Sequence, residues 1–253
     1  MSNTPAQQFQ AIFDAARAEP YVLGLFLGGS RGKGFENEFS DYDICLILQD
    51  ATPEPVRERY WQWNSAAIDL WGYTLSEFPN QAAWDGPEAW DRYSYTHVTA
   101  LIDKCDGQIQ RLIDEKGTIS TERRSAWIKG QLDAYINSLY RSLKCIRKGN
   151  LRGARLEAHE SIGWLLDVLF GYEGRHRPYY GYLERELGKY PLTSIPLSSD
   201  ALLAKIDAIA ASADRATQQE LLTMVDALLR PDGFGEVFDS WDADYQWMHS
   251  FKG

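Results

Sequence analysis

The chain is short of cysteine, of positive charge and of long apolar runs. Its three cysteines, Cys45, Cys105 and Cys145, stand far apart with no C-x-x-C spacing. That points away from a zinc site and from a disulfide framework. Cys45 lies within an apolar run and reads as a small buried side chain. The formal net charge is −10, so the basic excess of a polyanion binder is missing. Nucleic acid is therefore not an expected partner, and a cationic one suits the charge better. No apolar run approaches membrane length, and the opening MSNTPAQQFQ lacks the basic-then-apolar pattern of a signal peptide. A membrane partner is not expected, and a cytoplasmic location is. The P-loop pattern Gly-x-x-x-x-Gly-Lys-Ser/Thr is also absent, as are internal repeats and low-complexity tracts.

What is present is ordinary globular chemistry. The 253 residues are 44% hydrophobic and 25% charged, enough for a real core in one large domain or two modest ones. The first half alternates apolar runs with helical segments. Ala6 to Glu19 places Phe9, Ile12, Phe13 and Ala16 on one helical face. Tyr21 to Leu27, Tyr42 to Leu48, Ala66 to Leu75 and Thr96 to Asp103 read as strands. PEPVRERYWQWN and QIQRLIDEK read as helices, the latter after an Asp106-Gly107 turn. The second half reads as helices over Thr121 to Arg147, Leu151 to Phe170, Tyr179 to Leu187, Asp200 to Ala211, Thr217 to Leu229 and Glu236 to Ser250. Leu151, Ala158, Ile162, Leu165 and Leu169 form one apolar stripe. The expected fold class is α+β: a mixed-sheet domain over residues 1–117, followed by an all-α helical bundle over 118–253.

The stretch GGSRGKGFENEFSDYDICLIL, residues 28 to 48, is the most informative. Gly28 and Gly29 permit a sharp turn after a strand and close approach of backbone to a ligand. Such a turn with Ser30 offers N–H and O–H donors to phosphate, and Arg31 and Lys33 add positive charge nearby. Asp41 and Asp43 open the next strand two residues apart, so they share a face. Two adjacent carboxylates repel, and a shared hard cation relieves the pair, magnesium being the usual one beside phosphates. Asp69 sits inside the following strand, where a charge is costly unless paired or metal-bound. If that strand is a neighbour, three carboxylates converge, enough to hold two metals around a triphosphate. Phosphoryl or nucleotidyl chemistry is the expected outcome.

These residues resemble a known signature. Gly29-Ser30, ten residues, then Asp41-x-Asp43, followed by the apolar ICLIL and the later acid Asp69, is similar to the motif of the DNA polymerase β-like nucleotidyltransferase superfamily. The resemblance covers roughly residues 20 to 117. The helical second half resembles, less specifically, the accessory domain of small-molecule nucleotidyltransferases of the aminoglycoside type. The resemblance implies that Gly29 and Ser30 hold the terminal phosphates of a nucleoside triphosphate, ATP foremost. It also implies that Asp41, Asp43 and Asp69 bind two magnesium ions, and that an acceptor oxygen attacks the α-phosphorus.

The helical half supplies further candidates. Arg141 and Lys144 are three apart on one helical face and are candidates for meeting the triphosphate; a solvated basic face near a helix C-terminus is the alternative. Glu157 and Glu160 lie off the apolar stripe, as a cationic-acceptor site, a general base, or simply solvated acids. In some aminoglycoside enzymes the base is thought to come from a helix of this domain. Of the nine tryptophans, Trp71 shares the face of Asp69 and could form an acceptor platform; core packing is its commoner role. Acids such as Asp85 and Asp91 suit a polycationic sugar. The leading expectation is transfer of a nucleoside monophosphate to a hydroxyl of a small cationic acceptor, by a monomer or homodimer. Modification of a protein hydroxyl, as by antitoxin nucleotidyltransferases, and nucleotide binding without turnover are the other two readings.

Overall fold

The computed structural model describes residues 4–253. The chain forms two compact units, the first ending at Thr118 and the second beginning at Ile119. The fold is α+β: a four-stranded mixed sheet with helices, then an all-helical unit.

Helix α1, Pro5–Ala18, opens on Thr4, whose hydroxyl accepts from the Gln7 amide while the Gln7 side chain accepts from the Thr4 amide. This reciprocal cap satisfies two of the amides a helix start leaves bare. Four strands follow: β1 Val22–Leu27, β2 Tyr42–Leu48, β3 Ile68–Thr74 and β4 Ala100–Asp103. Their order is β3-β2-β1-β4. β1 is antiparallel to β2 and β4, and β2 is parallel to β3. Short helix α2, Gly29–Lys33, lies between β1 and β2, and α3, Glu54–Trp61, between β2 and β3.

The sheet is apolar on both faces because its strands alternate. Ile44, Leu46, Leu48 and Leu70 pack with Ile12 and Ala16 of α1 and Tyr60 of α3 on one face. Phe26, Cys45 and Ile47 pack on the other with Phe78, Tyr95 and Ile109. The last of these lies on α4, Gln108–Gly117; the others belong to two 3-10 segments, Phe78–Asn80 and Ala89–Tyr95. Cys45 is buried as expected, and burial pushes its thiol well up.

The fourth strand is shorter than the run Thr96 to Asp103 predicts. His97 adopts a positive φ of 66°, Thr96 donates its hydroxyl to the Gly117 carbonyl at 2.9 Å, and the Thr96 carbonyl accepts from Lys33 Nζ at 2.7 Å. These bonds take the chain off the ladder before Ala100.

The second unit contains α5 Thr121–Arg147, α6 Leu151–Tyr172, α7 Tyr180–Lys189, α8 Ser199–Ser212 and α9 Arg215–Leu229. Asn150 starts α6 by accepting the Gly153 amide at 3.0 Å. α5 and α6 pack along one another, burying Leu132, Leu139 and Leu143 against Ala158, Ile162, Leu165 and Leu169. Leu151, the expected first member of that stripe, is exposed because it is the first residue of the helix. The single final helix predicted from Glu236 to Ser250 is two, α10 Gly235–Asp239 and α11 Asp242–Ser250. Asp242 breaks it with a φ of 41°, while Trp241 donates to Asp133 at 3.0 Å and packs on Tyr140. Among the described residues no helix is long and apolar enough to cross a membrane.

Candidate active site

The two ends of the Gly-Ser and Asp-x-Asp stretch meet in space because β1 and β2 are antiparallel. Leu27 pairs with Ile44, and one step further the Gly28 amide donates to the Asp43 carbonyl at 2.8 Å. Gly29 then turns with a φ of 53°. A Cβ there would lie 1.8 Å from Asp43 Oδ2. Only glycine fits, both for the backbone and for the space beside the carboxylate.

The parallel pairing of β2 with β3 sets Asp43 beside Asp69. Both line a cavity of about 340 Å³, together with Gly28, Gly29 and Trp71. Alternation along β3 puts Asp69, Trp71 and Tyr73 on one face, and all three reach the cavity. Trp71 thus stands beside the acids. Phe26, Tyr95, Ser94 and Asp91 complete the lining. No lysine, arginine or histidine among the described residues lines it. Half-burial, then the fields of Asp41 and Asp69, push the Asp43 carboxyl above its ordinary value. Charge crowding of this kind is what a cation relieves.

The three acids do not form a ready-made cage. Asp41 is exposed and lies outside the cavity lining. Among the described residues no group of three or more His, Cys, Asp or Glu side chains is gathered to hold a metal. The acid pair Asp43–Asp69 nonetheless fits a hard cation by donor type. Magnesium commonly takes one or two carboxylates and completes its shell with water and substrate phosphates.

Three expected phosphate ligands are used otherwise. The Ser30 side chain is buried, and its hydroxyl donates to Ser40 Oγ at 2.9 Å. Arg31 donates to the carbonyls of Asp41 and Ser40, each at 2.8 Å, and stacks 4.0 Å over Tyr42. It closes the loop ahead of β2. Lys33 is buried, and its ammonium donates to the carbonyls of Tyr93, Ser94 and Thr96 at 2.8, 3.1 and 2.7 Å. Lys33 therefore ties α2 to the 3-10 segment and is spent on backbone.

In the helical unit Arg141 Nη2 lies 2.6 Å from Glu157 Oε1. The expected triphosphate ligand and the expected base neutralise each other. Lys144 rests 4.6 Å over the Tyr140 ring. Glu160 is exposed at the mouth of a small cavity of about 140 Å³ shared with Trp164, Asp167 and Arg177. There too the central charges are paired, Arg177 with Asp167 at 3.1 Å.

The residues that sequence reasoning did not place in the site are Tyr73, Tyr95, Ser94 and Asp91. Tyr73 was legible by strand alternation from Asp69. The others lie on a 3-10 segment with no periodic signature.

No family model matches the chain, and no curated protein matches it. Among solved structures it is similar to a nucleotidyltransferase-like protein from Exiguobacterium sibiricum 255-15. The identity is 12%, the TM-score is 0.39, and the match covers 96% of this chain and 77% of that one. A likeness of that size carries no functional weight, and the residues of the cavity must supply the reading.

Proposed function

We propose that the chain is a metal-dependent nucleotidyltransferase that moves a nucleoside monophosphate, AMP from ATP being the first to test, onto a hydroxyl of a small cationic acceptor such as an aminoglycoside. One observation carries this reading: a glycine turn held against Asp43, with Asp69 set beside Asp43 by strand register, in one cavity. The Gly28-Gly29-Ser30 backbone would take the terminal phosphates. Asp43 and Asp69, with the phosphates themselves, would hold magnesium, and Asp41 would add charge nearby. Bound there, the metal would supply charge neutralisation and orientation of the triphosphate.

In the transfer an acceptor oxygen forms a bond to the α-phosphorus as the bridging α–β bond breaks. Pyrophosphate leaves with the electron pair, and the hydroxyl proton passes to a base or to solvent. The cavity is walled by acids and aromatic rings, which favours a cationic acceptor and disfavours an anionic one.

The test is pyrophosphate release by the purified chain with magnesium, each nucleoside triphosphate in turn, and a panel of aminoglycosides and other amino sugars. Release that depends on acceptor and disappears in Asp43→Asn supports the proposal. No release with any combination, or release indifferent to Asp43→Asn, overturns it.

A further inference from the structure

The cavity has two unlike regions. One is the acid pair on the strand ends, Asp43 and Asp69, beside the glycine turn. The other is made by Asp91, Ser94, Tyr73 and Tyr95. We propose that this second region is an ammonium-binding subsite for the acceptor, with Asp91 as its specificity-determining residue. The inference rests on the preceding reading, in which the acid pair is occupied by metal and phosphates.

Asp91 and Ser94 ride on the 3-10 segment Ala89–Tyr95, and the Ser94 hydroxyl donates to Asp91 Oδ1 at 2.5 Å. That bond fixes the orientation of the carboxylate. The segment itself is pinned by buried cations. Lys33 holds the carbonyls of Tyr93, Ser94 and Thr96, and Arg92 Nη1 holds that of Ala82 at 2.8 Å. A carboxylate so anchored is preorganised, and little ordering remains to be done when a ligand arrives.

Asp91 also colours its surroundings. Burial first, then the fields of neighbours that include Asp91, push Tyr73 up to about 12 and Tyr95 up as well. Both phenols therefore stay neutral at physiological pH and keep their ring faces and hydroxyls for a ligand. An ammonium group gains from a carboxylate and from aromatic faces together. A carboxylate or phosphate group placed there would meet like charge. A volume of about 340 Å³ suits one sugar-sized ring. Lys33 lies four residues after Gly29, so one side chain links the glycine turn to the backbone that carries Asp91.

The experiment is calorimetry on the full chain at low ionic strength without nucleotide. The probes are kanamycin A, with free amines, and its per-N-acetylated form. The wild type is expected to bind the amine form at least tenfold more tightly. Asp91→Asn should lose at least tenfold of that affinity and leave the acetylated probe and magnesium-ATP binding within twofold. Ser94→Ala, which keeps the charge but frees the carboxylate, should lose two- to fivefold. No amine preference in the wild type, or a preference unchanged by Asp91→Asn, overturns the subsite. Should Asp91→Asn fail to fold by circular dichroism, Ser94→Ala decides, and an unchanged preference there overturns it. Pyrophosphate release without amine preference would remove the subsite and leave nucleotidyl transfer standing. Amine preference that depends on Asp91, without any release, would do the reverse.

Discussion

The two units handle charge in opposite ways. In the helical unit, cations meet acids: Arg141 with Glu157 at 2.6 Å, Arg175 with Glu186 at 2.5 Å, Arg177 with Asp167 at 3.1 Å and Arg230 with Asp226 at 2.7 Å. In the sheet unit, Lys33, Arg92 and Lys116 are buried and donate to backbone carbonyls. Three carboxylates, Asp43, Asp69 and Asp91, are left around one cavity. Acids neutralised by a neighbouring arginine do structural work. Acids crowded together at a cavity, with Asp43 pushed above its usual range, carry an unspent attraction for cations. The difference locates function in the sheet unit, even though the helical unit holds many charged residues.

The sharpest way to break this contrast is Asp43→Asn. Loss of transfer by about a thousandfold or more is expected, the size associated with removing a group that stabilises transition-state charge. Stability should move the other way. A carboxyl whose folded pKa is raised contributes stability at low pH and loses it as pH rises through that raised value. At neutral pH without metal, Asn removes the crowding, so the thermal midpoint should rise. Magnesium-ATP should raise the wild-type midpoint and not that of the variant. An unchanged midpoint in both conditions would count against a charge-crowded site.

The helical counterpart is Glu186→Gln. Glu186 is fully buried against Arg175, whose guanidinium also donates to the Tyr190 carbonyl at 2.9 Å. Removing one partner leaves a buried charge uncompensated, and about 3–5 kcal/mol of stability should be lost. Urea unfolding measures it. Nucleotide binding by the folded fraction should be unaffected, which separates structural charge from functional charge.

Gly29→Ala comes next. A left-handed backbone costs a non-glycine residue about 1–2 kcal/mol, and the new methyl meets Asp43 Oδ2. A loss of about 2 kcal/mol or more in urea unfolding is expected, with transfer lost along with it. Equal stability of the two proteins would mean that the turn is not held against Asp43 as described.

How much of this was legible follows from the reach of each signal. The fold class and most elements follow from local periodicity: α5 and β2 have the bounds their patterns predict. The acid pair was legible because alternation within strands is local and the pairing needs only that β3 neighbour β2. What failed was the assignment of cations. Arg31, Lys33 and Arg141 look alike in sequence, yet one clamps a loop, one is buried on three carbonyls and one is paired with Glu157. Their partners lie up to sixty-three residues away, beyond any periodic pattern. The same distance hid Asp91, which enters the site on an irregular segment that Lys33 fixes in place.

Lys116 refines the contrast within the sheet unit. Its ammonium donates to the carbonyls of Pro79 and Gln81 at 3.1 and 2.5 Å. Burial, with Arg92 near by, brings it down from 10.5 to about 8. The folded protein then releases this proton more readily than the unfolded chain. Stability should rise with pH between about 8 and 10.5, by at most about 1.4 kcal/mol per unit. Urea unfolding of wild type and Lys116→Met across that range isolates the effect, since other groups titrate in both. A parallel pH dependence in the two proteins would show that Lys116 keeps its proton.

The smallest effect tests the other side of the comparison. Arg141 and Glu157 form a partly exposed pair, and such pairs contribute roughly 0–1 kcal/mol. Glu157→Gln and Arg141→Gln should each shift the unfolding midpoint slightly, and the double variant no more than either alone. Because each group already neutralises the other, transfer should fall by about threefold or less, against the large loss expected of Asp43→Asn. A fall of a hundredfold in either single variant would mean that the pair opens when substrate binds. The helical unit would then hold functional charge after all, and the division between paired and crowded acids would no longer mark where chemistry occurs.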